Sequence, residues 1–447
     1  MRLQDGLYEL CRLRIEKDEE FKAAAQHRNF DEVDDALFDE YRLWQLKKTL
    51  KLVSEKSAFY RRLYAQNGAN VDEVQSIADL HKLPFTWSED LSGTSYSFLC
   101  TSQGDVEKPV TFFTSGSTGT KKRIFFSKAD VQKILDFLPR GMNTVVDRDE
   151  ARVQIFLQNS QGRGTAHILA SSLMLYGMKA WISDLTDPVE EIIRVTQENN
   201  INVWFGDAIS ITRATRLLEQ RMDLTKLGMQ CMFVTMTNIP KAMIRYLEKA
   251  WNCRVSTHYG LTEMGWGMAV DCDVCDGYHY NELDVIAELV DPETGEILPE
   301  GETGELVVTS IARDCMPLIR YRSGDICTLS KSVCGSHLEV IGHIQRRREG
   351  AYELCGQKLF PAMFDEVLFS NSDLLDYRIF AEDDRLFFEL EVIDPDKFDK
   401  AAFIKELMSI EALQGIKEPE ICLLPSGALR KFCYEKKRIL PIREREI

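Results

Sequence analysis

Short apolar runs alternate with helical patterns through the middle of the chain, between residues 152 and 260. The runs are rich in Val, Ile, Phe and Trp, and amphipathic stretches separate them. Uninterrupted apolar runs of this kind are typical of parallel strands that are buried on both faces. The pattern therefore predicts an α/β architecture with a parallel sheet. The runs are, in order, RVQIFLQ, KAWISDL, NVWFG, CMFVT and CRVSTHYG.

The first hundred residues are predicted to be mostly helical. Apolar residues lie there among lysines and arginines, and the segment SAFYRRLYAQNG is amphipathic. An extended stretch at 109–113 (PVTFF), a glycine-rich loop at 114–123 and a second apolar stretch at 124–126 follow. Ser127 and Asp130 form a capping-box signature, so a helix is expected to begin beside them.

The pattern changes to strands and turns after Tyr280. The segment DPETGEILPEGETGELVVTS carries two glycine turns between β-rich runs, which predicts a β-rich subdomain. A smaller α+β unit is expected from Arg347, with strands in AYEL, YRIFA and RLFFELEV and helices in PAMFDEVLF and DKFDKAAFIKELMSI. The charged RRREG run marks a hinge between them. We therefore predict a large N-terminal domain of layered α/β subdomains, residues 1–346, and a small mobile C-terminal domain, residues 347–447.

Composition limits the class of protein. The chain has 447 residues, of which 44% are hydrophobic and 28% charged, as in a globular enzyme of two or three domains. Its net charge of −16 argues against a nucleic-acid partner held by phosphate contacts. No apolar run approaches the roughly 20 residues that a membrane span needs, and the charged N-terminus has no signal-peptide core. Twelve scattered cysteines without a secretion signal indicate a reduced, cytoplasmic protein.

The loop TSGSTGTKKR at residues 114–123 concentrates hydroxyls, glycines and cations between two expected strands. Backbone N–H groups, hydroxyls and ammonium ions bind polyphosphate, and glycine lets the main chain approach it closely. The loop is not a Walker A loop, because two residues rather than four separate Gly116 from Gly119 and a strand follows. The alternative is a flexible Ser/Gly hairpin turn. The candidate phosphate-binding residues are Thr114, Ser115, Gly116, Ser117, Thr118, Gly119, Lys121 and Lys122.

Four segments, in this order along the chain, resemble motifs of the adenylate-forming superfamily of acyl-CoA synthetases, luciferases and peptide-synthetase adenylation domains. They are the loop at 114–123, then Tyr259-Gly260-Leu261-Thr262-Glu263, then Gly304-Glu305-Leu306 with Arg320-Tyr321-Arg322-Ser323-Gly324-Asp325, and last Gly356 ahead of Phe360-Pro361. Within the superfamily the chain is most similar to the phenylacetate–CoA ligase branch. The segments SAFYRRLYAQNG, LPFTWSEDL, DPETGEILPEGETGEL and PLIRYRSGD carry that similarity, which extends from about Tyr41 to the C-terminus.

The resemblance implies roles for single residues. Tyr259 would stack on adenine, Glu263 would ligate Mg²⁺, and Asp325 would accept hydrogen bonds from both ribose hydroxyls, which suits a carboxylate. Arg347 would also reach the ribose. Taken alone, the first three have plainer alternatives: a core aromatic, a solvated carboxylate and a turn acid. Further residues implied at the nucleotide are Thr235, Met236, Thr237, Asn238, His258, Gly260, Leu261 and Thr262, and His167 is a candidate for the acyl pocket, with a hydrogen-bonded helix histidine as its alternative.

The resemblance also implies a reaction. A carboxylic acid, aryl or small acyl, reacts with MgATP to give an acyl-adenylate and pyrophosphate, and a thiol, that of coenzyme A, then takes the acyl group. Two alternatives stay open: transfer to a carrier or protein thiol, and a degenerate protein that binds AMP or ATP without ligating. The sequence leaves the oligomeric state open, although the related branch favours homodimers.

A lysine near the C-terminus is implied as the residue that reaches the reacting oxygens during adenylation, a task that suits a point charge on a flexible stem. The tail PSGALRKFCYEKKRILPIR offers Lys431, Lys436 and Lys437. Lys437, before Arg438 and an apolar residue, fits the branch best, and Lys436 is the second choice. Glu435 stands where a glycine is expected, and a solvated basic tail is the alternative.

A second cluster predicts a structural zinc site. Cys272-x-x-Cys275-x-x-x-His279 has the spacing of zinc ligands, and thiolates with imidazole suit Zn²⁺. Relatives in the branch resemble this pattern, with a later Cys-x-Cys-Gly that supplies two ligands. Here only Cys334 of that pair is present, so Cys275 would replace the missing one. The alternative is a set of unconnected thiols.

Overall fold

A computed structural model describes residues 3–26, 28, 30, 33–93, 95–113, 121–143, 145–157, 164–235, 238–348, 350–429 and 439–441. The N-terminal elements are α1 (Leu3–Lys17), α2 (Glu19–Ala24), α3 (Asp35–Lys56), α4 (Ala58–Asn67), β1 (Val106–Phe113), β2 (Lys121–Ser127) and α5 (Lys128–Asn143). Single 3₁₀ turns at Val71–Glu73, Ile77–Lys82, Ser88–Leu91, Ser95–Phe98 and Gln103–Asp105 join α4 to β1.

The middle of the chain alternates strands and helices. Its elements are β3 (Arg152–Phe156), α6 (Thr165–Tyr176), β4 (Lys179–Ile182), α7 (Val189–Glu198), β5 (Val203–Asp207), α8 (Ala208–Glu219), β6 (Cys231–Thr235), α9 (Lys241–Trp251) and β7 (Arg254–Tyr259). Strands follow: β8 (Ala269–Asp271), β9 (Gly277–Tyr280), β10 (Val285–Val290), β11 (Thr303–Ser310), β12 (Tyr321–Ser330), β13 (Val340–Gly342) and β14 (Arg346–Arg347).

The C-terminal elements are β15 (Tyr352–Leu354), β16 (Gln357–Leu359), α10 (Ala362–Ser370), β17 (Leu374–Glu382), β18 (Arg385–Val392), α11 (Lys400–Leu407), β19 (Glu420–Leu424) and β20 (Ile439–Pro441). The chain divides into two compact units. The first comprises Met1–Val145 and His258–Arg348, and the second comprises Val146–Thr257 and Glu349–Ile447.

The second unit contains the predicted parallel sheet, with strand order β4-β3-β5-β6-β7 and every neighbouring pair parallel. All five residues of β5 are buried, as expected for a strand covered on both faces. Its Trp204 ring contacts the rings of Phe156 and Trp251, with centroids 4.8 and 4.6 Å apart. The five apolar runs of the sequence thus correspond to the five strands.

The C-terminal part of the second unit is a mixed sheet with strand order β19-β18-β17-β20 and two helices. β17 and β18 are antiparallel, whereas β19 and β20 each run parallel to their neighbour. Phe364, Tyr377 and Phe388 from this part belong to the same hydrophobic cluster as Trp204 and Trp251. One core therefore holds the parallel sheet and the C-terminal sheet together.

The first unit joins the N-terminal helices to an antiparallel sheet with strand order β10-β11-β12-β13-β9-β8, and β14 pairs with β12. The capping box that begins α5 is present: Ser127 N–H donates to Asp130 Oδ2 (2.9 Å), and Asp130 N–H donates to Ser127 Oγ (3.1 Å). The predicted α/β class with a β-rich part and a small α+β C-terminal part is confirmed. The predicted division of the chain into a large domain, residues 1–346, and a small mobile domain, residues 347–447, stays a prediction.

None of the helices within the described ranges is long and apolar enough to cross a membrane.

Candidate functional site

Tyr259, Asp325 and Arg347 form one polar cluster in the first unit. Tyr259 ends β7, and its hydroxyl donates to Asp325 Oδ2 at 2.7 Å. Arg347 lies on β14, in register with Asp325 on β12, and donates from Nη1 to Asp325 Oδ1. The Asp325 N–H donates to Ser323 Oγ at 3.0 Å, which steadies the strand there. The structure therefore brings together three residues that the sequence proposed separately.

The carboxylate of Asp325 is the centre of this cluster. Its side chain is 5% exposed, whereas that of Arg347 is 44% exposed, so the pair opens to solvent on the arginine side. Burial, reinforced by the neighbouring Asp325, raises the pKa of Tyr259 well above its ordinary value. Tyr259 is therefore a neutral donor at physiological pH, and its ring lies 6.0 Å from that of Tyr278 in a stacked arrangement.

Glu263 lies on a 3₁₀ turn, Thr262–Met264, four residues after Tyr259. The Tyr321 hydroxyl donates to its Oε1 at 2.7 Å, and Arg313 donates to its backbone carbonyl. No described residue donates to Oε2. Tyr321 thus orients the Glu263 carboxylate, and carboxylate oxygen is a ligand that suits a hard cation.

The sequence predicted neither the contact of Arg313 with Glu263 nor the hydrogen bond from Tyr321 to Glu263. Tyr321 lies within the segment that resembles the ribose-binding motif, but its partner cannot be read from that segment. Arg313 has no motif around it, and its guanidinium lies 4.9 Å from the Phe126 ring. The two contacts join residues that are 50 and 58 positions apart in sequence, so no local pattern could have indicated them.

The chain reverses tightly between Tyr259 and Glu263. Trp266 N–H donates to Leu261 O (2.9 Å), and Met268 N–H donates to Tyr259 O (3.1 Å). A Cβ at Gly260 would lie 1.4 Å from the Trp266 carbonyl oxygen, which no real Cβ does. Glycine is therefore required at this position for the turn that separates Tyr259 from Glu263.

Gly260→Ala is expected to destabilise the protein by about 1–3 kcal/mol and to weaken AMP binding at least tenfold, because the Trp266 backbone must move away from the new methyl group. Denaturant unfolding and titration with AMP measure the two effects. Gly104→Ala is the matched control, since its nearest neighbour would be Ser102 Oγ at 3.6 Å. Equal stability and AMP affinity in the two variants would contradict the prediction.

The other residues of this motif lie around the turn. Leu261 is buried, and Thr262 begins the 3₁₀ turn that carries Glu263. His258 precedes Tyr259 on β7, and burial lowers its pKa to about 4, so its imidazole is neutral at physiological pH. A neutral imidazole could orient an adenylate by hydrogen bonding but would add no positive charge.

The two strands that were predicted on either side of the glycine-rich loop are confirmed. β1 and β2 pair antiparallel, with Phe113 in register with Lys121 and Phe112 with Lys122. Lys122 is buried in β2. The predicted residues Thr114, Ser115, Gly116, Ser117, Thr118 and Gly119 lie outside the described residues.

Several predicted residues lie in the second unit. Thr235 ends β6, and Asn238 donates from Nδ2 to Asp365 Oδ2 at 3.2 Å. His167 lies in the first turn of α6, and its buried Nδ1 has no hydrogen-bond partner among the described residues. Met236 and Thr237 lie outside the described residues, as do Lys431, Lys436 and Lys437. The roles of all these residues stay predictions.

Cys272, Cys275, His279 and Cys334 come together in the first unit, with their ligand atoms all within 4.8 Å of one another. Cys334 Sγ lies 3.3 Å from His279 Nε2. His279 Nδ1 lies 2.9 Å from the Leu338 carbonyl oxygen, so Nδ1 carries the proton and Nε2 faces the thiols. Backbone N–H groups of Val274 and Cys275 donate to Cys272 Sγ. These thiols are therefore connected in space.

Comparison with known proteins gives three findings. The model of the family described as AMP-binding enzyme matches residues 46–312. Phenylacetate-coenzyme A ligase of Thermus thermophilus is 26% identical over 334 residues, 72% of this chain and 73% of that protein. Phenylacetate-coenzyme A ligase of Aromatoleum evansii is 25% identical over 443 residues, 94% of this chain and 98% of that protein.

A solved structure shares the fold. The chain is similar to 2-hydroxyisobutyryl-CoA ligase in the postadenylation state, in complex with R3-HIB-AMP, with a TM-score of 0.78 and 18% identity. The similarity covers 92% of this chain and 90% of that one.

Proposed function

The chain belongs to the family of AMP-binding enzymes, and from this premise we propose that it is an ATP-dependent, AMP-forming acid–thiol ligase. It converts an aryl or small acyl carboxylic acid to an acyl-adenylate and passes the acyl group to coenzyme A. The similarity to the phenylacetate-coenzyme A ligases of Thermus thermophilus and Aromatoleum evansii supports this activity. The fold that it shares with 2-hydroxyisobutyryl-CoA ligase in complex with R3-HIB-AMP is consistent with it.

The cluster of Tyr259, Asp325 and Arg347 is the observation that carries the proposal. A buried carboxylate that already accepts hydrogen bonds from a hydroxyl and a guanidinium is suited to accept them from two ribose hydroxyls. When a nucleotide binds, the ribose replaces the Tyr259 hydroxyl on Asp325, and the tyrosine ring turns to cover the adenine. Arg347 then lies beside the ribose, on the side of Asp325 that faces solvent.

In the first half-reaction a carboxylate oxygen of the acid attacks the α-phosphorus of ATP. The bond from that phosphorus to the bridging oxygen breaks, and pyrophosphate leaves with the electron pair. Glu263, whose carboxylate is held by Tyr321 and whose backbone carbonyl is held by Arg313, would hold Mg²⁺, which would neutralise charge on the phosphate oxygens. The loop at 114–123 holds the phosphates, and Lys437 reaches the reacting oxygens.

In the second half-reaction the sulfur of a thiolate attacks the acyl carbon, and AMP leaves with the bridging oxygen. The C-terminal domain, residues 347–447, is proposed to move between the two half-reactions so that the thiol can reach the mixed anhydride. Such a movement excludes water from an intermediate that hydrolyses readily.

Isotope exchange between ATP and pyrophosphate, over a panel of aryl and small acyl acids, tests the proposal. Exchange with at least one acid is expected, and coenzyme A should then stimulate AMP release. Exchange without any effect of coenzyme A would favour a carrier or protein thiol as the acceptor. AMP binding without exchange for any acid would favour a protein that has lost ligation.

We further propose that Cys272, Cys275, His279 and Cys334 hold a structural Zn²⁺. Three thiols and an imidazole are a common ligand set for a closed, four-coordinate zinc site. The Leu338 carbonyl that orients His279 is the kind of partner that supports a metal-bound histidine. The spacing of the ligand atoms supports the proposal, since a single ion could contact all four.

The protein is expected to keep about one equivalent of zinc after washing with a weak chelator. Cys272→Ser should reduce the zinc content at least fivefold and lower the thermal midpoint, because one of the four ligands is lost. Metal analysis by mass spectrometry measures the content. Cys355→Ser, at an exposed cysteine outside the cluster, is the control. Less than a tenth of an equivalent in the unsubstituted protein would contradict the proposal.

A further inference from the structure

Glu305, on β11, is a buried carboxylate that contacts two arginines and the backbone of β12. Its side chain is 0% exposed. Arg322 donates to Oε2 from Nε at 3.0 Å and also from Nη2, and Arg348 Nε lies 3.5 Å from the same oxygen. Oε1 accepts the N–H of Gly324 at 3.1 Å. One side chain thus joins β11, β12 and the residue that follows β14.

β12 contains a bulge where it passes this carboxylate. Between the two register pairs that flank the bulge, β12 has three residues, 323–325, where β11 has only Leu306. Gly324 has a φ of +76°, the left-handed conformation that favours glycine. The Ser323 hydroxyl accepts the Asp325 N–H at 3.0 Å and donates to the Leu306 carbonyl oxygen at 2.7 Å. Because the extra residues of a bulge redirect the side chains around them, the bulge sets the direction of Asp325.

The backbone of Gly324 is held from both sides. Its N–H donates to Glu305, and its carbonyl oxygen accepts the N–H of Arg348 at 2.6 Å. An N–H group that loses its ladder partner in a bulge needs another acceptor, so the Glu305 carboxylate stabilises the bulge. Arg348 directly follows Arg347, which lies in register with Asp325 and donates to it. Glu305 therefore holds both of the chain segments that carry the Asp325–Arg347 pair.

The two arginines compensate for the burial of the Glu305 charge. A buried carboxylate is strongly disfavoured unless opposite charge and hydrogen bonds replace its lost hydration. The guanidiniums of Arg322 and Arg348 lie 4.5 and 5.3 Å from the ring of Trp87. Arg322 also donates to the Pro292 carbonyl oxygen at 2.8 Å. Trp87 and Pro292 thus keep the cations in place, and the cations keep the carboxylate against the bulge.

We propose that Glu305 is a positioning residue for the nucleotide: it holds the β12 bulge that aims Asp325 and, with Arg348, the end of β14 that carries Arg347. Without this carboxylate the Gly324 peptide can rotate, and the Asp325 oxygens no longer align with both ribose hydroxyls. Ribose contacts exist before and during the reaction, so their loss lowers nucleotide affinity more than the rate at saturation. The part that concerns the ribose rests on the proposed function, whereas the hold on the bulge does not.

Glu305→Gln in the full-length protein tests the ribose part through the affinities for AMP and 2′-deoxy-AMP, measured by calorimetry. The amide replaces one of the two acceptor oxygens with a donor, so Arg322 or Gly324 loses its acceptor. In the unsubstituted protein, AMP should bind at least tenfold more tightly than 2′-deoxy-AMP, because the missing hydroxyl donates to a carboxylate. In Glu305→Gln this ratio should fall below threefold. A substitution that only destabilised the fold would leave the ratio unchanged.

Hydrogen–deuterium exchange tests the hold on the bulge without any nucleotide. The Gly324 N–H is expected to exchange at least tenfold faster in Glu305→Gln, because it has lost its carboxylate acceptor. Mass spectrometry of peptides that span residues 323–325 measures the rate.

Glu288→Gln is the matched control for both measurements. Glu288 lies on β10 of the same sheet, is also buried, and pairs with Arg320 at 3.0 Å. Neutralising it disturbs a comparable buried ion pair that involves Arg320 rather than the bulge. The affinity ratio and the exchange rate of Gly324 in this variant should stay within twofold of those of the unsubstituted protein.

Arg348→Gln gives a second route if Glu305→Gln folds poorly, since the Arg348 side chain is 25% exposed and its loss leaves Arg322 on the carboxylate. It should lower the affinity ratio at least twofold, and the two substitutions together should be non-additive because they act on one contact.

The outcomes separate the two parts of the proposal. An affinity ratio in Glu305→Gln, or in Arg348→Gln where the first variant does not fold, equal to that in Glu288→Gln would overturn the positioning of Asp325. Unchanged exchange of the Gly324 N–H would overturn the hold on the bulge. An unsubstituted protein that binds no AMP would refute the proposed function, while the exchange rate of Gly324 would still decide the hold on the bulge.

Discussion

Asp325→Ala is expected to lower ATP–pyrophosphate exchange at least a thousandfold. The substitution removes the acceptor proposed for both ribose hydroxyls, and each hydrogen bond to a charged group contributes about 1.5–3 kcal/mol. It also leaves the buried Tyr259 hydroxyl without its acceptor. A combined loss of about 4 kcal/mol corresponds to a thousandfold change in rate. Exchange at saturating acid and varied ATP measures it.

A matched variant separates loss of a nucleotide contact from loss of stability. Glu282 is a buried carboxylate of the first unit that pairs with Arg42 at 2.7 Å, outside the cluster around Asp325. Glu282→Ala breaks a comparable ion pair and is expected to lower the unfolding midpoint, while exchange per folded molecule stays within threefold. Exchange in Asp325→Ala within tenfold of the unsubstituted protein would contradict the role of Asp325.

Lys437→Ala is expected to lower the adenylation half-reaction at least a hundredfold. An ammonium that reaches the attacking and bridging oxygens stabilises charge that develops only in the transition state, so its loss lowers the rate more than the affinity. In the sequence Lys437 stands two residues before Ile439, which pairs with Ile379 on β17. Exchange at saturating ATP and acid reports the loss directly.

The neighbouring lysines provide the controls for this prediction. Lys431→Ala and Lys436→Ala each remove one positive charge from the tail, as Lys437→Ala does. Their ATP–pyrophosphate exchange should stay within tenfold of that of the unsubstituted protein. Transfer from a preformed acyl-adenylate to coenzyme A should be less affected by Lys437→Ala than exchange is. Near-normal exchange in that variant would refute the assignment, and a larger loss in Lys436→Ala would move the role to Lys436.

The parallel sheet could be predicted because its signal is local. Each of the five strands falls on an apolar run, as expected for strands that a sheet buries, and all five residues of β5 are buried. The helix at Ser127 and Asp130 was predictable for the same reason, because its cap lies within four residues. Long-range partners leave no such trace, as the contacts of Arg313 show.

The candidate site was predictable only in part. Tyr259, Glu263 and Asp325 could be proposed because they stand in short motifs whose order resembles a known family. The contact of Arg347 with Asp325 depends on the pairing of β14 with β12, and Tyr259 reaches the same carboxylate from 66 residues away, so neither contact is encoded at short range. The four proposed zinc ligands also depend on a long-range strand pairing. β13 pairs with β9, which brings Cys334, in the segment before β13, close to His279.

By itself, the sequence determined which segments form strands and helices, and it indicated which residues are candidates for binding a nucleotide. Those properties follow from spacing along one stretch of chain. Only the tertiary structure decided that Glu391, one of two acidic residues in β18, pairs with Arg213 and accepts hydrogen bonds from Gly427 and Leu429. Its partners lie 36, 38 and 178 residues away, and such contacts arise from strand register and helix packing rather than from any local period.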